Sequence, residues 1–349
     1  MKKSASVFNL LIAAAIFPLF FGCRKNVSEN QAESLLSTGK QGSTLTTLGV
    51  TPDVYVSGSL GGQAVYWKNG GAVILPGGEM ATGIAVVGPD VYVSGWGHDP
   101  STFVFVAKYW KNGVLTDLSN GTSDFLATGI AVSGTDVYVS GTAGAWVHTA
   151  LYWKNGVAVP LGPGQAWGIA VAANGDVYLS SQDSYVGGPR YWKNGSLLPL
   201  PGTASSTVNA IAVQGSNWYA VGVDDNGSSQ TALCWQNGSP YYLMQHLNSD
   251  AMAVAVDPNG LPVISGTTGA GYKQNISYWL HQDITFISTG KFGYITTGVA
   301  VDGTTGDVYI CGSESDSPST SINAKYWKNG QVVVLSTTGG TASGIALGQ

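Results

Sequence analysis

The chain has 349 residues, of which 44% are hydrophobic, 11% aromatic and only 10% charged, with 49 glycines among them. So apolar and aromatic a composition excludes a disordered chain and supplies material for a large core. The formal net charge of −5 argues against nucleic acid or an anionic lipid surface as a partner.

In chain order, Lys2 and Lys3 precede an apolar run from Val7 to Phe21 that is short for a membrane-spanning helix. Residues 1–22 are therefore expected to be a signal peptide. The stretch LFFGC (Leu19 to Cys23) resembles a bacterial lipobox, which implies lipidation of Cys23 and an outer-membrane lipoprotein facing the periplasm or the cell surface. Residues 23–44, rich in Ser, Gln, Asn and Glu, are expected to be the lipidated cysteine and a flexible tether. Loss of residues 1–22 removes two lysines and no acids, so the mature charge falls from −5 to about −7. Of the remaining cysteines, Cys234 and Cys311 occupy different repeat positions, and no disulfide is expected.

Residues 45–349 are expected to be a single domain in which three blocks recur in fixed order. A G-I-A-V block starts at Gly83, Gly129, Gly168, Ala210, Ala253, Gly298 and Gly344. A D-V-Y-V-S-G block starts at Asp53, Asp90, Asp136, Asp176, Asn217, Leu261 and Asp307. A Y-W-K-N-G block carries Trp67, Trp110, Trp153, Trp192, Trp235, Trp279 and Trp327, which lie 39 to 48 residues apart. Each block is short, rich in β-branched and aromatic residues, and bounded by Gly, Pro or Asn, as strands are. An apolar stretch such as AVILPG (Ala72 to Gly77) follows the third block and supplies a fourth strand. Asn-Gly between them, as at Asn69 and Asn112, predicts a two-residue hairpin whose turn matches the strand twist. Residue size grows from Gly/Ala through Val/Tyr to Tyr-Trp along each unit, the gradient needed where units converge on an axis.

The repeats resemble those of secreted bacterial proteins of the DVYVSG/YWKNG type. The resemblance implies an all-β fold, a seven-bladed β-propeller of four-stranded antiparallel blades. The chain ends on SGIALGQ (Ser343 to Gln349), one block of a repeat whose other strands begin at Asp53. That C-terminal inner strand is expected to complete the N-terminal blade and close the ring. There is no Trp-Asp or kelch signature, so neither family lends a function.

In such a blade the first-to-second and third-to-fourth turns share one face, and here both are short and regular. The opposite face carries connections that differ in every repeat, where a rigid scaffold usually displays function. Residues outside the repeat gather there: Trp96, Trp146, Trp167, Tyr185, Tyr272, Tyr294, Phe125 and Phe292 are the candidate ligand-binding residues. Carboxylates such as Asp124, Asp224 and Asp250 add acceptors. Aromatic faces with acceptors suit a glycan or a protein ligand; covering the blade tops is the plainer role for any one of them. His98 and Asp99, with Glu79 or Asp124 nearby, are weak catalytic candidates for a polysaccharide hydrolase or lyase. No metal spacing is present, and no cofactor or metal is expected. DDNG (Asp224 to Gly227) reads as an Asx turn, and the Asp opening most second blocks as a turn residue. The expectation is a monomeric, non-catalytic binding protein anchored to the membrane by its lipid alone, with a passive scaffold as the other possibility.

Overall fold

The computed structural model describes residues 51–144, 148–181, 187–243, 248–269, 273–280, 282–315, 317 and 320–348, and at 273 and 289–296 the backbone alone. These residues form seven four-stranded antiparallel blades in a ring, with no helix among them. Blade 2 shows the pattern: Met80–Val87, Asp90–His98, Phe105–Lys111 and Val114–Asp117, from the axis outward. The second strand is buried on both sides because it lies between two neighbouring blades, which is why its sequence is almost continuously apolar. The fourth strand of blade 1, Gly71–Ile74, is exposed along its length.

The core consists of seven layers between blades, each containing one repeat tryptophan. Trp110 packs with Tyr55, Leu75 and Ile84 between blades 1 and 2, and Trp67 with Tyr309, Val56 and Ile345 between blades 7 and 1. Removing one such ring typically costs ~3–5 kcal/mol. Cys234 and Cys311 lie in separate layers, free and buried, and burial pushes both thiols up to about 12.

The C-terminal strand, Thr341–Gly348, is the inner strand of blade 1 and pairs with Asp53–Leu60 from Asp53↔Gly348 to Ser59↔Thr341. It also meets both neighbours. A Cβ on Gly298 would lie 3.2 Å from the Cα of Gly344, and one on Gly344 3.4 Å from the Cα of Gly83. Hydroxyls staple the inner strands together: Thr82 donates to the carbonyl of Ala127 at 2.9 Å, and Thr297 to that of Ala342 at 2.6 Å. The inner strands bulge just ahead of the G-I-A-V block, which thrusts a carbonyl against the last residue of the second block. A Cβ on Gly58 would stand 1.8 Å from the Thr341 oxygen and one on Gly266 2.0 Å from the Asp250 oxygen. Close approach therefore explains the repeated glycine.

The hairpin turns follow the sequence expectation. Asn69 and Gly70 have φ of 50° and 88°, and the same positive pair recurs at Asn112, Asn155, Asn194, Asn237 and Asn329. The Asp that opens the second strand takes its recurring partners from the neighbouring hairpin, and bonds within its own turn, as expected, occur at Asp176 with Asn174 and at Asp307 with Thr305. Asn112 donates to Asp90 at 2.7 Å and accepts from the Val91 amide at 2.8 Å, while Lys111 reaches the same carboxylate at 2.8 Å and lies over Tyr92. Five blades repeat this clasp, on Asp53, Asp90, Asp136, Asp176 and Asp307. Hydrogen bonds from Lys68 and Asn69 hold Asp53 below the usual carboxylate range. Blade 5 has a neutral version, Asn237 to Asn217 at 3.0 Å, and in blade 6 the sequence has Leu261 and His281 at the positions of the polar pair.

The connection from blade 6 to blade 7, which carries the candidates Phe292 and Tyr294, is itself a strand. KFGYI (Lys291 to Ile295) lies inside a single strand, Asp283–Val301, which is the outer strand of blade 6 and the inner strand of blade 7. The stretch contains no Pro or Asn to break it, and its backbone is paired to Lys273 and Gln274 on one side and Ser313 and Ser315 on the other.

Candidate binding face

The face carrying the second-to-third and blade-to-blade connections has two concentrations of side chains outside the repeat. At blade 2, Trp96 and His98 project from the end of the second strand and Phe105 from the start of the third. Trp96 meets Phe105 edge-on with centroids 5.0 Å apart, and the His98 ring lies 4.4 Å from Phe105. His98 Nδ1 is 2.9 Å from a carboxylate oxygen of Glu79, whose other oxygen accepts the His98 amide at 3.1 Å. Those bonds, the amide's first, hold Glu79 below the usual range.

Asp99 does not join this pair. Its Oδ1 accepts the Ser101 hydroxyl at 2.5 Å and the Ser101 and Thr102 amides at 2.9 Å, which lowers its pKa to about 2. A carboxylate so committed to its own loop is a poor proton donor near neutrality. Asp124 accepts the Phe105 amide at 2.9 Å. Phe125 packs 6.2 Å from Trp153 and lines a shallow groove with Leu118 and Asn120.

The second concentration follows the inner strands of blades 4 to 6. The residue before each G-I-A-V block is a hydroxyl in blades 1, 2, 3 and 7, namely Ser343, Thr82, Thr128 and Thr297; in blades 4, 5 and 6 it is Trp167, Asn209 and Met252. Trp167 is 42% exposed, its indole N–H 3.3 Å from Gln165. Asn209 reaches across to blade 6, donating to Asp250 Oδ1 at 2.8 Å and to the Ala251 carbonyl at 2.9 Å. Asp250 and Met252 line a cavity of about 220 Å³ with Gln230, Asn248, Thr267 and Gln274. Burial pushes the Asp250 carboxyl up to about 6, a rise that the Asn209 bond only partly opposes.

Asp224 is buried but fully occupied, by Ser206, the Thr203 amide and Tyr242, and these bonds outweigh the upward push of burial and hold it ionised. The loop after it is the expected Asx turn, with Asp225 accepting the Gly227 amide and Asn226 the Ser228 amide. Among the sequence-predicted ligand residues, Trp96 and Phe125 are half-buried at blades 2 and 3, and Trp167 stands apart at blade 4. Phe292 and Tyr294 are described in backbone only, in the strand joining blades 6 and 7. Trp146, Tyr185, Tyr272, Cys23 and the segments 1–22 and 23–44 lie outside the described residues. The Asp250 cavity was not assembled from sequence, although its signal was present in the break of the Thr/Ser pattern at Trp167, Asn209 and Met252.

Fold and face together define a closed seven-bladed β-propeller with one repetitive and one individual face. No family model matches the chain, and no curated protein matches it. Among solved structures, it is similar to the β-propeller domain of the Trilobed protease from Pyrococcus furiosus, at 10% identity and a TM-score of 0.51, over 82% of this chain and 92% of that one. That domain's structure is described as revealing an open velcro topology, whereas here the C-terminal strand is paired into blade 1. Looser similarities are to an acylaminoacyl peptidase (11% identity, TM-score 0.49, 79% of this chain and 48% of that one) and to the extracellular domain of a two-component system of B. thetaiotaomicron (9%, 0.43, 75% and 38%). At these identities the likeness concerns the fold alone.

Proposed function

We propose that the chain is an exported, lipid-anchored binding module that takes a glycan or a protein ligand on its variable face without transforming it. The observation that carries this is the contrast between the faces. On the repetitive face, side-chain polar groups are consumed by Asp–Lys–Asn clasps in five blades. On the other, an exposed tryptophan and a polar cavity sit two inner strands apart. Exposed aromatic surface beside convergent polar groups is what recognition sites are built from. The acidic mature chain makes nucleic acid an unsuitable ligand, and attachment through Cys23 accounts for membrane association by lipid alone. A monomer is the expected state.

The test is a screen of immobilised glycans and of envelope proteins with the wild-type chain and the Trp167→Ala variant. Trp167 is chosen because it is exposed, whereas Trp96 packs into its own blade. A ligand retained equally by both proteins would remove Trp167 from the binding face. The hydrolase or lyase alternative rests on the His98–Glu79 pair; turnover of a polysaccharide panel that is lost in His98→Ala would establish it.

A further inference from the structure

The cavity between blades 5 and 6 has an unusual electrostatic arrangement. Asp250 stands in its wall, held at one oxygen by Asn209 Nδ2 at 2.8 Å. Among the described residues no lysine, arginine or histidine makes an ion pair with it. The structure's other shielded carboxylates are answered from within. Among the described residues, Glu314 meets Lys325 and Ser288, Asp224 meets Ser206, Thr203 and Tyr242, Asp257 accepts the Asn259 and Leu261 amides, and Asp302 accepts the amide and hydroxyl of Thr304. Of these carboxylates Asp250 lines the cavity, whose other described polar side chains are the carboxamides of Gln230, Asn248 and Gln274 and the hydroxyls of Ser249 and Thr267.

We propose that this cavity is a binding subsite for a single neutral sugar residue, whose hydroxyls donate to Asp250 and exchange hydrogen bonds with the surrounding carboxamides. The inference rests on the variable face being a recognition surface and assigns it a site and a ligand class.

Three features select that chemistry. A sugar hydroxyl both donates and accepts, so it can satisfy a carboxylate and a carboxamide at once, and this wall offers both. At about 220 Å³ the cavity is smaller than the ~300 Å³ at which drug-sized pockets begin, which fits one ring and leaves the remainder of an oligosaccharide outside. Among the described residues the lining contains no cation, and a carboxylate repels another anion, which disfavours acidic sugars and phosphate esters. Met252 adds an apolar surface for the ring's C–H groups, and Trp167 stands two inner strands away, where a following residue could stack.

The test uses the folded chain in ligand-observed NMR and calorimetric titrations against methyl glycosides of the common neutral hexoses and N-acetylhexosamines, their short oligosaccharides, and glucosamine as a cationic probe. Wild type is expected to bind at least one neutral glycoside. Asp250→Asn, which keeps the shape and the Asn209 contact, is expected to weaken that binding about tenfold or more, because hydrogen bonds to a charged acceptor are the strong ones. Gln274→Ala should weaken it as well, and Trp167→Ala should affect oligosaccharides more than the single residue. Equal binding by wild type and Asp250→Asn overturns the subsite, as does tighter binding of glucosamine than of any neutral sugar. If oligosaccharide binding survives Asp250→Asn but is lost in Trp167→Ala, the recognition face stands and the subsite falls. If no saccharide binds either protein, the subsite falls, and the face then depends on the protein-partner arm of the screen.

Discussion

Asp250 offers a test that needs no ligand. Its carboxyl is raised from an ordinary 3.8 to about 6 by burial, so the folded chain holds this proton more tightly than the unfolded chain does. Between those values the native state binds more protons, and stability falls as the pH rises; below about pH 4 the penalty is absent, and above about pH 6 it is complete. At ~1.4 kcal/mol for each tenfold change in proton affinity the penalty approaches 3 kcal/mol. The side chain is only partly shielded from solvent, so about 1–3 kcal/mol is the working expectation. Asp250→Asn removes the ionisation while retaining an oxygen for Asn209 to donate to. In urea melts the variant should match wild type near pH 4, gain through the window and remain more stable by about 1–3 kcal/mol at pH 7.5. Depressed carboxylates such as Asp99, at about 2, act with the reverse sign and lose their stabilisation as the pH falls, but they are common to both proteins and cancel in the difference. A gain independent of pH, or a loss at pH 7.5, would refute the assignment of a destabilising buried charge.

Two further perturbations address the scaffold. Truncation after Gly340 removes the strand that pairs with Asp53–Leu60 and strips Ala342 and Ile345 from the layer around Trp67, so thermal stability should drop by at least ~3 kcal/mol and light scattering should rise as the blade 1 edge is exposed; an unchanged melting curve would exclude closure through this strand. Gln282→Gly should raise the melting temperature through a gain of about 0.5–1 kcal/mol, because Gln282 holds φ of 84° at the one hairpin turn that lacks Asn-Gly, and no gain in a thermal melt would count against strain at that turn.

The fold was legible because each strand is written seven times and the physical demands on it are identical in every blade. Tryptophan fills the layer between blades, Asn-Gly makes the turn, and the glycine ending the second block yields to a carbonyl of the bulged inner strand. Even the clasp was half legible: the repeated Asp was visible, but its partner is a hairpin sixteen residues on in blade 1, from Asp53 to Asn69, and proximity in sequence pointed only to its own turn. Of the carboxylates that the sequence set beside His98, the fold brings Glu79 to it, while the chain neighbour Asp99 is tied to Ser101. Chain neighbours are natural candidates in a linear reading, and antiparallel sheets replace them with partners set by register.

The candidate site was illegible for a different reason. Gln230, Asn248, Asp250, Thr267 and Gln274 come from different strands and connections of two blades, follow no period, and converge only where blade 6 packs on blade 5. What a repeat protein does reveal is where it breaks its own rule. Thr82, Thr128 and Thr297 each place a hydroxyl on the carbonyl of the next blade, a bond that holds neighbouring blades together. Blades 4, 5 and 6 abandon that hydroxyl in succession: Trp167 stands exposed, Asn209 keeps the bond to the next blade's carbonyl with a carboxamide and adds one to Asp250, and Met252 lines the cavity. Three consecutive departures at one structural position, beside a carboxylate whose burial weakens the fold, are not what scaffold requirements alone would select. The proposed sugar subsite would account for both.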